Sequence, residues 1–261
     1  MLEVRQLYKR FGSLLAVDGI SFSVPRGEVL GFLGPNGAGK STTMKMVTGF
    51  LAPDSGTAIV CGHDIREAPV AAKRNIGYLP EGAPAYPDMT PADFLDFIAR
   101  IRGFSGADKG RRIDRIVETI HLGEVLEQPI ETLSKGYKRR VGVAQALLHD
   151  PPVVILDEPT DGLDPNQKYE MRKIIAALQP ERAIIISTHL LEEVEAVCSR
   201  AIIIARGHIL ADATPADLRA RSRYHNAVRL GVAPAQRAAL AAEIERLPAV
   251  AAVEASDDGD G

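Results

Sequence analysis

The chain has 261 residues, of which 46% are hydrophobic and 25% are charged, and its formal net charge is −3. A chain of this length buries roughly 70–75% of its unfolded surface, which is enough for a substantial core and a smaller appendage. The near-neutral charge excludes a protein that coats nucleic acid through a general basic field, so we expect local phosphate binding and no nucleic-acid partner.

The cysteines and the lengths of the apolar runs indicate the cellular compartment in which the protein works. Cys61 and Cys198 lack the spacing of a metal site or of a redox dithiol, which favours reduced cysteines in a cytosolic protein. The first residues alternate like a strand and contain no signal-peptide run. The longest apolar runs, such as 153–156 and 201–205, are far shorter than the ~20 residues that span a bilayer. We therefore expect any membrane crossing to be made by another chain.

Short β-type runs alternate with segments of helical periodicity along most of the chain. This alternation predicts an α/β domain with a largely parallel sheet. The predicted strands are residues 29–33, 58–60, 153–156, 183–186 and 201–204. Three of these runs are almost continuously apolar, as is typical of central strands that are buried on both faces.

Between residues 90 and 149 this alternation stops, and three helical segments follow one another. Thr90 is predicted to cap the first helix, with Pro91 at its first position, and the third helix follows Ser134. The first two helices each carry an apolar face, formed by Phe94, Phe97, Ile98 and Ile101 and by Ile113, Ile116, Val117 and Ile120. We predict an inserted α-helical subdomain at about residues 85–150.

The chain changes character after residue 215. A short helix is followed by a predicted strand at 226–230, an Ala-rich helix at 235–247 and a second strand at 249–253. The acidic residues 257–261 are typical of a disordered tail. We therefore predict a small C-terminal α/β appendage over residues 216–261.

Residues 34–42, Gly-Pro-Asn-Gly-Ala-Gly-Lys-Ser-Thr, match the pattern G-x-x-x-x-G-K-[ST] directly after a predicted strand. The helix that follows has a predicted buried face of Met44, Val47 and Leu51. Glycines let the backbone wrap phosphates, Lys40 reaches the β- and γ-phosphates, and the Ser41 hydroxyl is placed for Mg²⁺. The competing interpretation is a glycine-rich turn with a solvated lysine. The nucleotide-binding residues predicted in this loop are Asn36, Gly37, Gly39, Lys40, Ser41 and Thr42.

Two consecutive carboxylates, Asp157 and Glu158, end the predicted strand at 153–156. Buried charges at a strand end are costly unless they face cations or water. If the chain turns there, both side chains reach the ligand crevice, where Asp157 would hold Mg²⁺ and Glu158 would deprotonate an attacking water. The alternative is that both acidic residues only cap the turn before Pro159.

A histidine follows a third buried strand. His189 comes directly after Ser187 and Thr188, at the carboxyl end of the predicted strand at 183–186. At that position it could hydrogen-bond a γ-phosphate in the same crevice, although a lone histidine is more often structural.

These elements, together with the stretch Leu133-Ser134-Lys135-Gly136-Tyr137, resemble the nucleotide-binding subunit of ATP-binding cassette (ABC) transporters over residues 1 to about 215. The resemblance implies ATP and Mg²⁺ as cofactors. It also implies a P-loop NTPase fold, with a RecA-like core, an antiparallel β subdomain and the inserted helical subdomain. In that family two cassettes pack head to tail, so Ser134 and Gly136 would contact the γ-phosphate held by the partner subunit's phosphate loop.

The resemblance implies further residue roles. Phe11 matches the aromatic residue that stacks on adenine, although it could also be a core residue at a strand end. Asp164 matches a loop that carries signals across the dimer, and with Pro165 it is also a good helix start. His189 matches the family's switch histidine. The implied catalytic residues are therefore Glu158, His189 and Lys40.

The sequence departs from the family pattern at several positions. Glu81 stands where the family usually has glutamine, and we expect it to bind Mg²⁺ or water and to retune hydrolysis. Lys135 and Tyr137 stand where glycine and glutamine are usual. The basic run formed by Lys135, Lys138, Arg139 and Arg140 is either a solvated helix face or an attraction for the partner's nucleotide.

The expected function is that of an ATP-hydrolysing subunit that drives a polytopic permease encoded as a separate chain. The motif set looks most like export-type systems, and we expect a homodimer that is peripheral on the cytoplasmic face of the membrane. One alternative is a cassette ATPase that acts on ribosomes or in DNA repair without a membrane partner. Another is a small-molecule kinase, which would leave residues 133–137 and 161–164 unexplained.

Overall fold

The structure is a computed structural model in which residues 1–83, 85–221, 230–248, 250 and 252–254 are described. The chain falls into two compact units, Met1–Ala220 and Arg221–Gly261. The strands of the first unit are β1 (Leu2–Phe11), β2 (Leu14–Val24), β3 (Val29–Leu33), β4 (Ser55–Val60), β5 (His63–Asp64), β6 (Ile76–Leu79), β7 (Val153–Asp157), β8 (Ala183–Thr188), β9 (Arg200–Ala205) and β10 (His208–Ala213).

The first unit also contains α-helices. They are α1 (Lys40–Val47), α2 (Pro69–Arg74), α3 (Pro91–Ile101), α4 (Gly106–Ile120), α5 (Lys135–Leu147), α6 (Pro165–Leu178), α7 (Leu191–Val197) and α8 (Pro215–Ala220). The three helices predicted between residues 90 and 149 are α3, α4 and α5. They follow one another without an intervening strand.

The strands form two sheets. A four-stranded antiparallel sheet has the order β2-β1-β4-β5, and a six-stranded sheet has the order β10-β9-β3-β8-β7-β6. In the larger sheet β6, β7, β8, β3 and β9 pair in parallel, and β10 pairs with β9 in antiparallel. The prediction of an α/β fold with a largely parallel sheet and an antiparallel β subdomain is confirmed.

Burial on both faces explains the continuously apolar strands. In β7, Val154 and Leu156 pack into one hydrophobic core with the helices α3 to α6, whereas Val153 and Ile155 pack into a second core with the antiparallel sheet and α1. Side chains alternate across a strand, so a strand between two cores has to be apolar at every position. The six-stranded sheet therefore separates the two cores.

The register of the parallel strands gathers the predicted site residues at one edge. Leu33 at the end of β3 pairs with Thr188 at the end of β8, and Asp157 at the end of β7 pairs with Ser187. Ligands of open parallel sheets bind beyond the carboxyl ends of the strands. The phosphate loop, the acidic pair and His189 consequently share that edge.

Two predicted apolar positions lie elsewhere than expected. Ile101 is 66% exposed, because the buried face of α3 is formed by Phe94, Leu95 and Ala99 and leaves Ile101 at its margin. Leu51 is partly buried but lies outside α1, because that helix ends at Val47 and the left-handed Gly49 (φ 67°) redirects the chain. For Leu51, the predicted periodicity continued past the end of α1 because periodicity carries no information on where capping occurs.

The last part of the chain differs in detail from the prediction. Helix α8 belongs to the first unit, where Leu218 packs on Val194 and Ala201. In the second unit a helix, α9 (Arg237–Ile244), is shorter than the predicted 235–247, and residues 250, 252 and 253 of the predicted strand at 249–253 are not in a strand. Most of the strand predicted at 226–230 and the acidic tail at 257–261 lie outside the described residues.

No helix in the described part of the chain is both long and apolar enough to cross a bilayer.

Candidate active site

The loop between β3 and α1 has the backbone of a phosphate cradle. A Cβ on Gly34 would lie 2.3 Å from the Ile204 carbonyl oxygen, and a Cβ on Gly39 (φ 107°) would lie 2.4 Å from the Ala16 carbonyl oxygen. Only glycine fits at these two positions, which explains the spacing of the motif. The backbone can therefore approach a bound phosphate closely, at the N-terminus of α1.

Lys40, the first residue of α1, folds back over this loop. Its Nζ donates to the carbonyl oxygens of Gly34 at 2.7 Å and Pro35 at 3.2 Å, and its side chain is only 6% exposed. A buried ammonium requires such acceptors. Phosphate oxygens can replace these carbonyl acceptors when a nucleotide binds.

A cleft of about 380 Å³ opens above the loop. This volume lies within the range of small-molecule binding sites. It is lined by Phe11, Leu14, Ala16, Asn36, Gly37, Gly39, Lys40, Ser41, Thr42, Glu81 and Glu158. Phe11 is 47% exposed at the end of β1, so its ring is available for stacking.

The cleft also contains two residues that the sequence analysis did not single out, Leu14 and Ala16. Both come just after Phe11, in the β1–β2 hairpin. The short turn between β1 and β2 was the sequence signal that could have identified them, because a two-residue turn places the first residues of β2 beside Phe11 at the end of β1.

Asp157 is fully buried at the end of β7. Its Oδ1 accepts a hydrogen bond from Ser187 Oγ and lies 3.4 Å from Ser41 Oγ. Its Oδ2 is buried and has no hydrogen-bond partner among the residues that the structure describes. A buried carboxylate oxygen with free lone pairs beside a serine hydroxyl fits a hard divalent cation that keeps water and phosphate ligands. Ser41 and Asp157 are therefore suited to Mg²⁺.

Glu158 has an uncommon backbone conformation. Its φ of 49° lies in the left-handed region, and its N–H donates to the Ser187 carbonyl oxygen at 3.1 Å. This turn after β7 interrupts the strand alternation and directs the carboxylate into the cleft. Its Oε1 lies 3.6 Å from Lys40 Nζ, and its Oε2 lies 3.1 Å from His189 Nδ1.

Burial raises the pKa of Glu158 above its ordinary value of 4.5, although the positive charge of Lys40 and the contact with His189 oppose this shift. A carboxylate with a raised pKa is a better proton acceptor than an ordinary glutamate. Its position beside Lys40 and His189 allows it to act as a general base on a water molecule in the cleft.

His189 follows β8, and its side chain is 39% exposed. It does not line the cleft directly but reaches it through Glu158. The preceding Thr188 is held by its hydroxyl, which donates to Glu193 at 2.8 Å and accepts from the Leu190 N–H at 3.1 Å. These contacts hold the backbone just before the histidine.

The remaining predicted residues lie outside this cleft. Ser134 caps α5 by accepting from the Tyr137 N–H at 3.3 Å, and Asp164 caps α6 by accepting from the Gln167 N–H at 2.9 Å. A Cβ on Gly136 would lie 2.7 Å from the Gln167 side chain, so α5 and α6 approach closely there. The nucleotide role of Ser134, Gly136 and Asp164 stays a prediction that concerns a second subunit's cleft.

The raised pKa of Glu158 has a consequence for stability. The folded protein binds the proton on the Glu158 carboxyl more tightly than the unfolded chain does. Protonated Glu158 therefore stabilises the fold fully at pH values below its pKa in the unfolded chain, and this stabilisation is lost as the pH rises through its pKa in the folded protein. Glu158→Gln stays neutral at every pH. We therefore expect the variant without nucleotide to unfold at a higher temperature than the wild type at about pH 8 and at the same temperature at about pH 4. Calorimetry at both pH values measures this, and equal Tm values at the higher pH would contradict it.

A phosphate loop at the carboxyl edge of a parallel sheet, together with Asp157 and Glu158 at the same edge two strands away, defines a P-loop nucleoside triphosphatase. Residues 17–161 match the family model described as ABC transporter. The chain belongs to this family, and within it the chain is an ATP-binding cassette, the class of subunit that binds and hydrolyses ATP.

Known proteins illustrate the relationship. The chain is 37% identical over 223 residues to the probable multidrug ABC transporter ATP-binding protein YbhF of Escherichia coli. The matched region is 85% of this chain and 38% of the length of YbhF. The chain is 37% identical over 243 residues to the linearmycin resistance ATP-binding protein LnrL of Bacillus subtilis, covering 93% and 78% respectively. A solved ATP-binding subunit of an ABC transporter matches with a TM-score of 0.76 and 31% identity, over 85% of this chain and 92% of that one.

Proposed function

We propose that this chain is the ATP-hydrolysing subunit of an export-type membrane transporter and that it works as a head-to-tail dimer around two Mg-ATP molecules. The observation that carries the proposal is the position of Glu158. Its carboxylate faces the cleft between Lys40 Nζ at 3.6 Å and His189 Nδ1 at 3.1 Å. A base held between a phosphate-binding lysine and a histidine suits the attack of water on a γ-phosphate.

In the proposed reaction the loop at 34–39 surrounds the β- and γ-phosphates, and Lys40 transfers its hydrogen bonds from the loop carbonyls to phosphate oxygens. Glu158 accepts a proton from water as the water oxygen bonds to the γ-phosphorus. The bond from that phosphorus to the oxygen bridging to the β-phosphate breaks, and ADP and phosphate leave. His189 orients the carboxylate. Mg²⁺, held by Ser41 and Asp157, would neutralise charge on the phosphates.

The position of the α5 cap supports the proposed dimer. Ser134 and Gly136 are outside the cleft of their own chain but at a helix N-terminus that can receive a phosphate. In a head-to-tail pair each α5 would face the γ-phosphate of the other subunit, and Asp164 would lie at the contact between them. We propose a homodimer, because one chain carries both halves of such a site.

The transport part of the proposal is supported by the names of the relatives. YbhF is described as a probable multidrug ABC transporter ATP-binding protein and LnrL as a linearmycin resistance ATP-binding protein. By analogy we propose that this chain binds a polytopic permease subunit and lies at the cytoplasmic face of the membrane. ATP hydrolysis by the dimer would then drive export of a substrate that the permease selects.

The test is affinity purification of tagged Glu158→Gln protein with Mg-ATP from detergent-solubilised membranes of its native cell, with mass spectrometry of the chains recovered. A polytopic membrane protein would support the proposal. Ribosomal or DNA-repair proteins, with the tagged protein absent from membranes, would overturn its transport part. Release of phosphate by the wild type without any acceptor other than water would exclude a kinase.

Glu81 lines the cleft as a carboxylate at the position of the family's usual glutamine, and it is exposed. We expect Glu81→Gln to retain ATPase activity and to change its dependence on Mg²⁺ concentration, because the variant removes one negative charge that attracts the cation. Titration of ATPase rate with MgCl₂ measures this. A matched control is Glu131→Gln, an exposed carboxylate outside the cleft, and a well-folded but inactive Glu81→Gln would contradict the expectation.

A further inference from the structure

Helix α5 begins with positive charges where the helix dipole disfavours them. Its first turn contains no acidic residue. The structure separates the basic run into side chains with different surroundings. Lys138 Nζ donates to the Glu131 carbonyl oxygen at 2.7 Å, and the Arg140 guanidinium lies over the Tyr137 ring. Lys138 therefore faces the loop before α5, and Arg140 lies along the surface of α5.

The other two cations face the loop that follows Glu158. Arg139 Nη2 lies 3.9 Å from Asp161 Oδ2, and a Cβ on Gly162 would lie 3.5 Å from Lys135 Nζ. The Arg139 side chain is 9% exposed, whereas that of Asp161 is 60% exposed. Arg139 Nη1 is buried without a hydrogen-bond partner among the described residues. A buried guanidinium with an unused donor can take a further acceptor.

The loop joins Asp161 to Glu158 through backbone contacts. The Asp161 N–H donates to the Glu158 carbonyl oxygen at 3.3 Å, and the Leu163 N–H donates to the Thr160 carbonyl oxygen at 3.2 Å. Two successive turns thus connect the acidic residue at the mouth of the cleft to the start of α6. A non-glycine residue at φ 49° persists only where its surroundings hold it, and the hydrogen bond from Asp161 is one of the contacts that surround Glu158.

We propose that Arg139 is a positioning residue for Glu158 and acts through Asp161. The buried guanidinium attracts the Asp161 carboxylate, which fixes the loop at 158–164 and so the carboxylate of Glu158. The proposal rests on the proposed function in that Glu158 is the base. Since Ser134 and Gly136 begin the same helix, a shift of α5 on contact with a partner subunit's phosphate would close the 3.9 Å gap and set Glu158 for hydrolysis.

The kinetic test compares Arg139→Gln, Asp161→Asn and the double variant with the wild type. We expect each single change to lower kcat about 10–100-fold, since small displacements of a catalytic group have effects of this size, with KM for ATP within about twofold. The double variant should be no slower than the slower single variant, because both changes remove one interaction. Lys138→Gln removes a cation of the same helix that faces the loop before α5 and not the loop at 158–164, so its kcat should equal that of the wild type.

A second measurement does not depend on turnover. Hydrogen–deuterium exchange of the nucleotide-free protein should be faster in the 158–164 segment for Arg139→Gln than for the wild type and for Lys138→Gln. Arg139→Lys, which keeps the charge, should restore part of both kcat and protection. Asp161→Asn changes an exposed side chain and keeps the test informative if Arg139→Gln does not fold.

Additive losses in the double variant, or unchanged exchange in the 158–164 segment, would overturn the positioning role. A wild type without ATPase activity would instead overturn the proposed function. The exchange comparison would then show by itself whether Arg139 holds the 158–164 segment in place.

Discussion

Replacing Glu158 by glutamine is expected to lower the rate of ATP hydrolysis by about 10²–10⁴-fold while ATP binding is retained. The amide has nearly the same shape as the carboxylate but cannot accept the proton of the attacking water. Lys40 keeps its two carbonyl acceptors in the phosphate loop, so the variant should still bind ATP. Without hydrolysis, the ATP-bound dimer should accumulate.

Phosphate release and size-exclusion chromatography with light scattering measure these two effects. Glu192→Gln is the matched control, since that carboxylate is 83% exposed on α7 and pairs with Arg172 instead of facing the cleft. It should hydrolyse ATP at the wild-type rate. A Glu158→Gln protein with wild-type turnover would remove Glu158 from the role of base, and a monomer at saturating Mg-ATP would contradict dimerisation by this chain alone.

Lys40→Met is expected to weaken ATP binding by about 10–100-fold, because hydrogen bonds to charged groups contribute roughly 1.5–3 kcal/mol each. The methionine side chain fills a similar buried volume but has no donor for phosphate oxygens. The change has a second effect on Glu158. Lys40 lowers the pKa of that carboxyl against the effect of burial, so its removal should raise the pKa further and reduce the ionised base at a given pH.

Both effects can be measured on one preparation. Fluorescent-nucleotide titration gives the affinity, and the pH dependence of kcat gives the acid limb, which should move to higher pH in Lys40→Met. Lys45→Met is the matched control, because that lysine lies on the same helix but is exposed. Unchanged ATP affinity in Lys40→Met would contradict the assignment of the loop at 34–42 as the phosphate site.

Some site features were predictable because they depend on local chemistry. The phosphate loop is contiguous, and its glycines, lysine and serine each have a reason that holds within a few residues of chain. The strands at 153–156 and 183–186 were predictable because burial on both faces requires apolar residues throughout. The capping of α3 by Thr90 was predictable for the same local reason, and its hydroxyl accepts from the Asp93 N–H at 3.1 Å.

Other features depend on contacts between distant segments. The exposure of Ile101 depends on which face of α3 packs against the core, and the exclusion of Leu51 from α1 depends on where that helix ends. Sequence periodicity shows neither. The roles of the basic run were left open between a solvated face and attraction of nucleotide. The structure instead turns Arg139 towards Asp161 of the loop after Glu158.

The sequence by itself determined the class of chemistry, because a phosphate loop and an acidic pair at strand ends are local patterns with specific chemical requirements. Tertiary structure alone decided how the groups meet. Parallel pairing of β7 with β8 brings Ser187 to Asp157, and the left-handed turn at Glu158 places its carboxylate between Lys40 and His189. Lys40 and Glu158 are more than a hundred positions apart in the sequence. The distance between their side chains is set only when the strands that carry them pack in register.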